Sequence, residues 1–161
     1  MAITDPLTGL FNRRYFYKRV SDMNNNVKCR ALIICDIDNF KLVNDTYGHG
    51  TGDLVIKFVG NQLEKNVRKG DMVARLGGEE FGIYVEGDSF THCIDTAERL
   101  RKSLHKIAFD EVGTPISVTA SFGIAIHREG CVESSVHKAD LAMYNAKNTG
   151  KDKVCVSDTF A

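Results

Sequence analysis

Residues 75–81, which read RLGGEEF, constrain the fold more than any other stretch of the chain. Their two glycines separate two short apolar runs, at 72–76 and 81–85. Because glycine adopts the positive φ of a tight two-residue turn without a steric penalty, this pattern predicts a β-hairpin. Glu79 and Glu80 follow the glycines, and neighbouring strand side chains point to opposite faces, so we expect the two carboxylates to have different roles. The alternative is a surface hairpin with two solvated glutamates.

A second acidic cluster follows residues 31–35, a run that is apolar at every position. A run of this length is typical of a central strand that is buried on both faces. Asp36 ends the run, and Asp38 follows at the spacing that returns to the same face. Carboxylates beside a buried strand are costly unless they are paired or bind a cation. If this strand lies beside the hairpin, Asp36 and one glutamate converge on an oxygen-only site that suits Mg²⁺ or Mn²⁺.

The composition indicates a single globular domain, since 43% of the 161 residues are hydrophobic and 26% are charged. Basic and acidic residues number 21 each, so no net charge favours a nucleic acid polymer or an anionic membrane surface as a partner. The sequence contains no apolar run long enough to span a bilayer and no signal-peptide pattern. Five scattered cysteines without a CxxC pair argue against zinc and indicate a reduced, cytoplasmic setting.

Hydrophobic periodicity predicts the order helix, strand, helix, helix, two hairpin strands, helix, strand, helix, strand, and hence an α+β fold. We expect Asn12 to cap the first helix, and residues 48–52 to form a glycine-rich loop before a helix with Asp53 in its first turn. The later predictions are a helix at about 89–106, a loop at 109–115, a strand at 116–126, a last helix whose apolar residues run from 132 to 146, and an edge strand at 154–156.

The sequence resembles the GGDEF domain of diguanylate cyclases, which condense two GTP into cyclic di-GMP. The resemblance covers nearly the whole chain and rests on motifs at 5–14, 36–41, 44–49, 52–53, 77–81, 121–125, 139–140 and 144–147. It implies a ferredoxin-like βαββαβ core, of the nucleotide cyclase and polymerase palm type, with helices packed on a mostly antiparallel sheet. Family members usually carry a sensor or a coiled linker before the first motif. We therefore expect residues 1–161 to be one catalytic domain excised from a longer, sensor-linked protein.

The resemblance implies a metal-dependent phosphoryl transfer. The ribose 3′-hydroxyl of one GTP attacks the α-phosphate of a second, and pyrophosphate leaves. It further implies two Mg²⁺ or Mn²⁺ ions per active site and a homodimer in which two bound GTP molecules face each other. Asp36, the backbone carbonyl of Ile37 and Glu80 match metal ligands, while Glu79 and Glu80 match the catalytic acidic pair, with Glu79 as base or transition-state support. Asp38 matches either a further ligand or a residue that supports the ligands, and we favour the second.

Further matches concern the substrate. Asn44 and Asp53 match the pair that recognises guanine, and an aspartate can accept from the N1–H and 2-amino groups, which adenine does not offer. The expected phosphate-binding residues are Lys41, Lys147 and Lys151, and Lys151 stands where arginine is common in the family. The resemblance also places Gly77 and Gly78 against the α-phosphate and the ribose.

A second site is implied by the sequence RxxD at Arg68 and Asp71, which stands just before the hairpin as in the family's product-inhibition site. Arginine suits both guanine and phosphate. Arg99 resembles the helix arginine that completes such a site, with Arg101 as the fallback. The alternative for an RxxD tetrapeptide is a surface ion pair that contributes little energy.

Two other functions stay open at this point. One is a catalytically silent module that binds GTP or cyclic di-GMP as a receptor, and the other is a cyclase with relaxed base choice that makes mixed GMP–AMP dinucleotides. The intact acidic residues argue against the first and Asp53 argues against the second. We expect no membrane contact by this domain and a cytoplasmic location, which leaves open whether a full-length protein is anchored in a membrane.

Overall fold

The computed structural model of this protein describes residues 2–23, 26–105, 115–128 and 130–158. The elements are β1 (Phe11–Asn12), α1 (Arg13–Asp22), β2 (Cys29–Ile37), α2 (Phe40–Tyr47), α3 (His49–Lys65), β3 (Met72–Gly77), β4 (Glu80–Gly87), α4 (Phe90–Ser103), β5 (Ala120–Ile126), α5 (Val132–Asn148) and β6 (Val154–Val156). Within the described chain, no helix combines the length and apolar character needed to cross a bilayer.

One six-stranded sheet, in the order β1-β3-β4-β2-β5-β6, organises the molecule. Its four middle strands are antiparallel, and each edge strand pairs in parallel. The chain from β2 to β5 therefore follows the βαββαβ order with β2 in the centre, flanked by β4 and β5. The predicted α+β fold with a mostly antiparallel sheet is confirmed.

The two faces of the sheet carry separate hydrophobic cores, and β2 contributes to both. Ile33 and Cys35 pack in the core that includes apolar side chains of α3 and α4. Leu32 and Ile34 pack in the other core, with α1 and α5. All four side chains are fully buried. The apolar run of β2 thus reflects burial on both faces, as its length predicts.

A close approach between α5 and β5 depends on Gly123. A Cβ at this position would lie 2.0 Å from the carbonyl oxygen of Ala139 and 2.3 Å from the backbone nitrogen of Met143. Only glycine permits a helix backbone to lie this near a strand. This contact sets how near α5 lies to the sheet, and Lys147 reaches the end of β2 from the same helix.

The predicted loop at 48–52 is wrong, because α3 already begins at His49 and only Gly48 links it to α2. Gly48 has a φ of 90°, while Gly52 is helical and lies so close to α2 that a Cβ would meet Asn44. The glycines here serve helix packing rather than a flexible loop. Asp53 accordingly lies beyond the first turn of α3, which contains no acidic residue.

Other boundaries differ less. The structure adds the short strand β1. Strand β5 begins at Ala120 rather than at 116, and the alternation of apolar residues at 116–118 reflects burial of Ile116 and Val118 outside the strand. Helix α4 ends at Ser103, and residues 106–114, which include most of the predicted loop at 109–115, lie outside the described residues. The cap of α1 by Asn12 is confirmed, since its side chain accepts from the Tyr15 N–H at 2.9 Å. The edge strand at 154–156 is confirmed as β6.

Candidate active site

Asp36 and Glu80 are direct cross-strand partners at the end of the β2–β4 pair. Directly opposed residues of an antiparallel pair share one face, with Cβ atoms about 5 Å apart. Burial, followed by the charges of Asp140 and Asp36, raises the pKa of Glu80 to about 7. Burial also raises the pKa of Asp36, although the Lys147 ammonium counteracts it. Two carboxylates that are difficult to ionise together form a site that favours an added cation.

Lys147, near the end of α5, reaches this site with its ammonium group. Its Nζ lies 2.9 Å from Asp36 Oδ1 and 3.1 Å from both the Asp36 and the Ile37 carbonyl oxygens. Burial would lower the pKa of Lys147, but hydrogen bonds to Asp38 and Asp36 outweigh burial and raise it. A positive charge therefore already lies where the carboxylate of Asp36 and the carbonyl of Ile37 converge.

Asp38 is buried and its carboxylate is saturated with donors. Oδ1 accepts from Ser121 Oγ at 2.6 Å and from Lys147 Nζ at 2.8 Å. Oδ2 accepts from Thr119 Oγ1 at 2.8 Å and from the backbone N–H of Asp152 at 3.0 Å. Burial alone would raise the pKa of Asp38, but these hydrogen bonds outweigh it and the pKa is lowered. With about four acceptor positions on a carboxylate, Asp38 has none left for a metal ion.

The hairpin turn differs by one residue from the predicted glycine pair. Gly77 still pairs with Glu80, so the two turn residues are Gly78 and Glu79. Gly78 takes the left-handed φ of 49°, and the space beside both glycines is open, with no atom within 4 Å of an ideal Cβ. The carbonyl of Glu79 accepts from the Ile37 N–H at 3.3 Å. The turn therefore lies against the end of β2, with Glu79 at its tip and Glu80 opposite Asp36.

Arg75 and Asp5 support this turn, a role that the sequence did not reveal. Arg75 donates from Nε to the carbonyl of Gly78 at 3.0 Å and forms an ion pair with Asp5 at 3.1 Å. Asp5 in turn accepts from the backbone N–H and the hydroxyl of Thr8. The start of the N-terminal motif at 5–14 is therefore attached to the hairpin turn through Arg75. In the sequence, that motif was the only sign that Asp5 has a role.

Asn44 lies on α2 with an unsatisfied acceptor. Its Oδ1 is buried and has no hydrogen-bond partner among the described residues. It faces Gly52 at the start of α3, next to the exposed Asp53 in the chain. Lys41, one helical turn before Asn44, is exposed as well. A buried acceptor without a partner is costly, so a ligand that donates to it would gain affinity.

Lys151 adopts a left-handed φ of 62°, and its ammonium donates to Asn39 Oδ1 at 2.8 Å. Asn39 is the residue immediately before α2. The predicted phosphate-binding residues thus come from two directions, Lys41 from α2 and Lys147 with Lys151 from the C-terminal end of α5.

Arg68, Asp71 and Arg99 line one cavity of about 550 Å³ at the other end of the β3–β4 hairpin. The carboxylate of Asp71 accepts from the backbone N–H groups of Arg68 at 3.0 Å and Glu86 at 3.1 Å. Arg99 donates twice to the carbonyl of Asn66, at 2.8 and 3.1 Å. The fallback residue, Arg101, does not line this cavity and instead binds Asp152.

Asp140 is a residue to which the sequence motifs assigned no role. After burial, its charge is the largest influence on the pKa of Glu80. It lies on the same helix as Lys147, so α5 brings both a carboxyl group and an ammonium group to the site.

The oxygen atoms at this site fit a hard divalent cation whose coordination is completed by water and by phosphate oxygens of a ligand. The described residues include no cluster of three or more His, Cys, Asp or Glu side chains able to enclose a metal ion. Mg²⁺ does not need such a cluster, since it binds through one or two carboxylates together with water and phosphate oxygens. Asp36, Glu80 and the Ile37 carbonyl are the oxygens that could hold such an ion.

The sequence profile of the family described as "Diguanylate cyclase, GGDEF domain" matches residues 2–153. The chain is 39% identical, over 98% of its length, to a probable diguanylate cyclase, DgcT, of Escherichia coli K12. It is 38% identical, over 97% of its length, to the diguanylate cyclase DgcP of Pseudomonas aeruginosa. These matches span only 36% and 24% of the two relatives' own lengths.

Solved structures show the same likeness. The GGDEF domain of DgcB from Caulobacter crescentus, in complex with c-di-GMP, aligns with a TM-score of 0.90 at 29% identity, covering 99% of this chain and 95% of that one. The diguanylate cyclase SiaD of Pseudomonas aeruginosa, in complex with its activator SiaC, aligns with a TM-score of 0.89 at 37% identity, covering 96% and 62% of the two chains.

Proposed function

This chain belongs to the GGDEF family, and from that membership we propose that it is a diguanylate cyclase, which condenses two GTP molecules into cyclic di-GMP with release of pyrophosphate. The observation that carries the proposal is the opposition of Asp36 and Glu80 beside an open glycine turn. Such a reaction requires negative charge to be neutralised around a transferring phosphoryl group.

The proposed metal site uses the oxygens that converge beside β2. Asp36, Glu80 and the carbonyl of Ile37 would hold Mg²⁺ or Mn²⁺, with two ions in each site. When bound, these ions would neutralise charge on the triphosphate and on the attacking oxygen. The position of Lys147 supports this choice, because its ammonium already contacts Asp36 and the Ile37 carbonyl. A metal ion on these oxygens would displace the ammonium, which would then be available for the phosphates.

Guanine selection is assigned to Asn44 and Asp53. The buried Oδ1 of Asn44 has no partner among the described side chains and would accept from the base. Asp53 would accept from N1–H and the 2-amino group, which adenine lacks. A site with such acceptors penalises ATP because they would stay unpaired. This argues against the alternative of a cyclase with relaxed base choice.

The phosphates are assigned to Lys41, Lys147 and Lys151. The absence of a Cβ at Gly77 and Gly78 leaves room for the α-phosphate and ribose beside the turn. Glu79, at the tip of the turn, is the carboxylate that we assign to proton acceptance from the 3′-hydroxyl or to support of the transition state. Glu80 would remain mainly a ligand.

Cyclisation needs two attacks, so each active site with one GTP must meet a second one. We therefore propose a homodimer with two-fold symmetry as the active form. Because the reaction consumes GTP, we expect it to take place in the cytoplasm.

Product inhibition is assigned to the cavity lined by Arg68, Asp71 and Arg99. The same cavity supports the second candidate function, a receptor that binds cyclic di-GMP without turning over GTP. The two candidates differ only in whether the acidic site is active.

A turnover assay tests the proposal. Purified protein with Mg²⁺ and GTP should release pyrophosphate and form cyclic di-GMP, with a rate that rises faster than linearly with protein concentration. Asp36→Ala and Glu79→Ala should abolish turnover, while Glu64→Ala, which removes an exposed acid from α3, serves as the control. If a verified dimer shows no turnover yet binds cyclic di-GMP in a manner that Arg68→Ala removes, the receptor is the correct function.

A further inference from the structure

Three non-glycine residues of the described chain have a positive φ, and all three meet at one place. Asn39 has a φ of 56°, Lys151 of 62° and Asp152 of 45°. Asn39 precedes α2, while Lys151 and Asp152 connect α5 to β6. A left-handed conformation is uncommon for a lysine, whereas Asn and Asp adopt it more readily, so Lys151 in particular depends on the contacts that surround this segment.

The left-handed residues direct two groups toward the active site. The ammonium of Lys151 donates to Asn39 Oδ1 at 2.8 Å, and the backbone N–H of Asp152 donates to Asp38 Oδ2 at 3.0 Å. Asp38 is the acid that also accepts from Lys147 at 2.8 Å. The conformation of residues 150–152 therefore determines where Lys151 lies and completes the set of donors around Asp38.

The side chain of Asp152 is held by Arg101 of α4 and by His105, which follows that helix. Arg101 donates to Asp152 Oδ1 at 2.9 Å, and His105 Nε2 lies 2.9 Å from the same oxygen. A second contact keeps Arg101 in place, because it also pairs with Glu98 Oε2 at 2.9 Å. The Arg101 side chain is only 16% exposed, so its guanidinium has restricted freedom.

We infer that Arg101 is a positioning residue of the active site. By holding Asp152, it keeps residues 151 and 152 in the left-handed conformation, and so sets the place of Lys151 and of the Asp38–Lys147 pair for the triphosphate. This inference rests on the proposed function. An ordinary surface ion pair would contribute little and would leave the active site unchanged.

Amide hydrogen exchange, measured without nucleotide, tests whether Arg101 holds the segment around Asp152. In Arg101→Ala, the Asp152 N–H should exchange roughly tenfold faster or more, because the segment opens more often. Lys102→Ala, which removes an exposed charge from the same helix, should leave that exchange rate as in the wild-type protein. An unchanged rate in Arg101→Ala overturns the inference.

Kinetics and binding measurements test whether this segment positions the groups that bind the triphosphate. Arg101→Ala should raise the KM for GTP roughly fivefold or more with a smaller change in kcat, since ground-state phosphate contacts are lost. A non-hydrolysable GTP analogue, measured by calorimetry, should bind correspondingly more weakly. Arg101→Lys should restore part of the affinity, because it keeps the charge for Asp152 but cannot span Asp152 and Glu98 as a fork.

A double variant separates conformation from charge. Glycine at 152 takes a left-handed φ freely and has no carboxylate to hold, so in an Asp152→Gly background Arg101→Ala should change the KM by less than about twofold. An effect as large as in the wild-type background contradicts the inference. A wild-type protein without turnover overturns the proposed function instead, and the exchange measurement then still decides whether Arg101 holds the segment.

Discussion

Gly52 of α3 faces Asn44 of α2 so closely that a Cβ on Gly52 would lie 1.9 Å from Asn44 Oδ1. The same oxygen is buried without a partner among the described residues. The two helices therefore approach each other at the position where a guanine-recognising side chain is proposed, and the orientation of Asn44 depends on the absence of a side chain at position 52.

Gly52→Ala should weaken GTP binding without unfolding the protein. The added methyl group would displace the end of a side chain rather than backbone, and alanine gains about 0.5–1 kcal/mol of helix propensity over glycine. We expect stability within about 1 kcal/mol of wild type and a KM for GTP that is raised roughly tenfold or more. Gly50→Ala is the control, since no atom lies within 4 Å of its Cβ. Equal KM values in the two variants would contradict the role of Asn44.

Gly123→Ala should behave differently, because the added Cβ would meet backbone atoms of α5 at 2.0 and 2.3 Å. Backbone cannot rotate away, so α5 must move from the sheet. We expect a loss of about 3 kcal/mol or more in the free energy of unfolding, measured by urea denaturation. A loss below about 1 kcal/mol would mean that α5 lies farther from β5 in solution.

The acidic site predicts a stability that falls as pH rises. The folded-state pKa of Glu80 is about 7, above the ordinary value of 4.5, so the folded protein binds this proton more tightly than the unfolded chain. This contribution is complete below pH 4.5 and is lost as pH rises through about 7. The raised pKa of Asp36 acts in the same direction.

Denaturation at pH 5 and pH 8 with a chelator present should show this effect. We expect Glu80→Gln to remove roughly 1–2 kcal/mol of the pH dependence after allowance for solvent screening. An identical dependence in wild type and variant would show that the pKa of Glu80 is not raised by its surroundings.

The ion pair between Arg75 and Asp5 should stabilise the hairpin turn. Arg75→Ala removes bonds to both Asp5 and the Gly78 carbonyl, so we expect a loss of about 1–2 kcal/mol. Combined with Asp5→Ala in a double-mutant cycle, the coupling energy should be about 0.5–2 kcal/mol. Lys57→Ala, an exposed charge on α3, is the control. Additive single effects would show that the two side chains do not interact.

The cavity lined by Arg68, Asp71 and Arg99 predicts that product inhibition can be weakened without loss of turnover. Arg68→Ala should raise the cyclic di-GMP concentration needed for half-inhibition roughly tenfold or more, since a charge-assisted hydrogen bond contributes about 1.5–3 kcal/mol. Product titration into the turnover assay measures this. Lys65, at the end of α3, is exposed, and the Lys65→Ala variant should be inhibited by cyclic di-GMP as strongly as the wild-type protein is. Unchanged inhibition in Arg68→Ala would place the product elsewhere.

The sequence by itself determined the family and the order of the elements, apart from the two-residue strand β1. The apolar run of β2 and the cap at Asn12 depend on near neighbours in the chain, so their patterns were sufficient. Local pattern was misleading at residues 48–52, where the glycines serve contact between helices rather than a loop.

Only the tertiary structure decided which side chains meet. Strand register set Glu80, rather than Glu79, opposite Asp36, and a slip of one residue would exchange their faces. Asp5 and Arg75 stand 70 residues apart, and Arg101 and Asp152 stand 51 apart. Contacts at such separations arise from the packing of whole elements on the sheet, which no short stretch of sequence encodes.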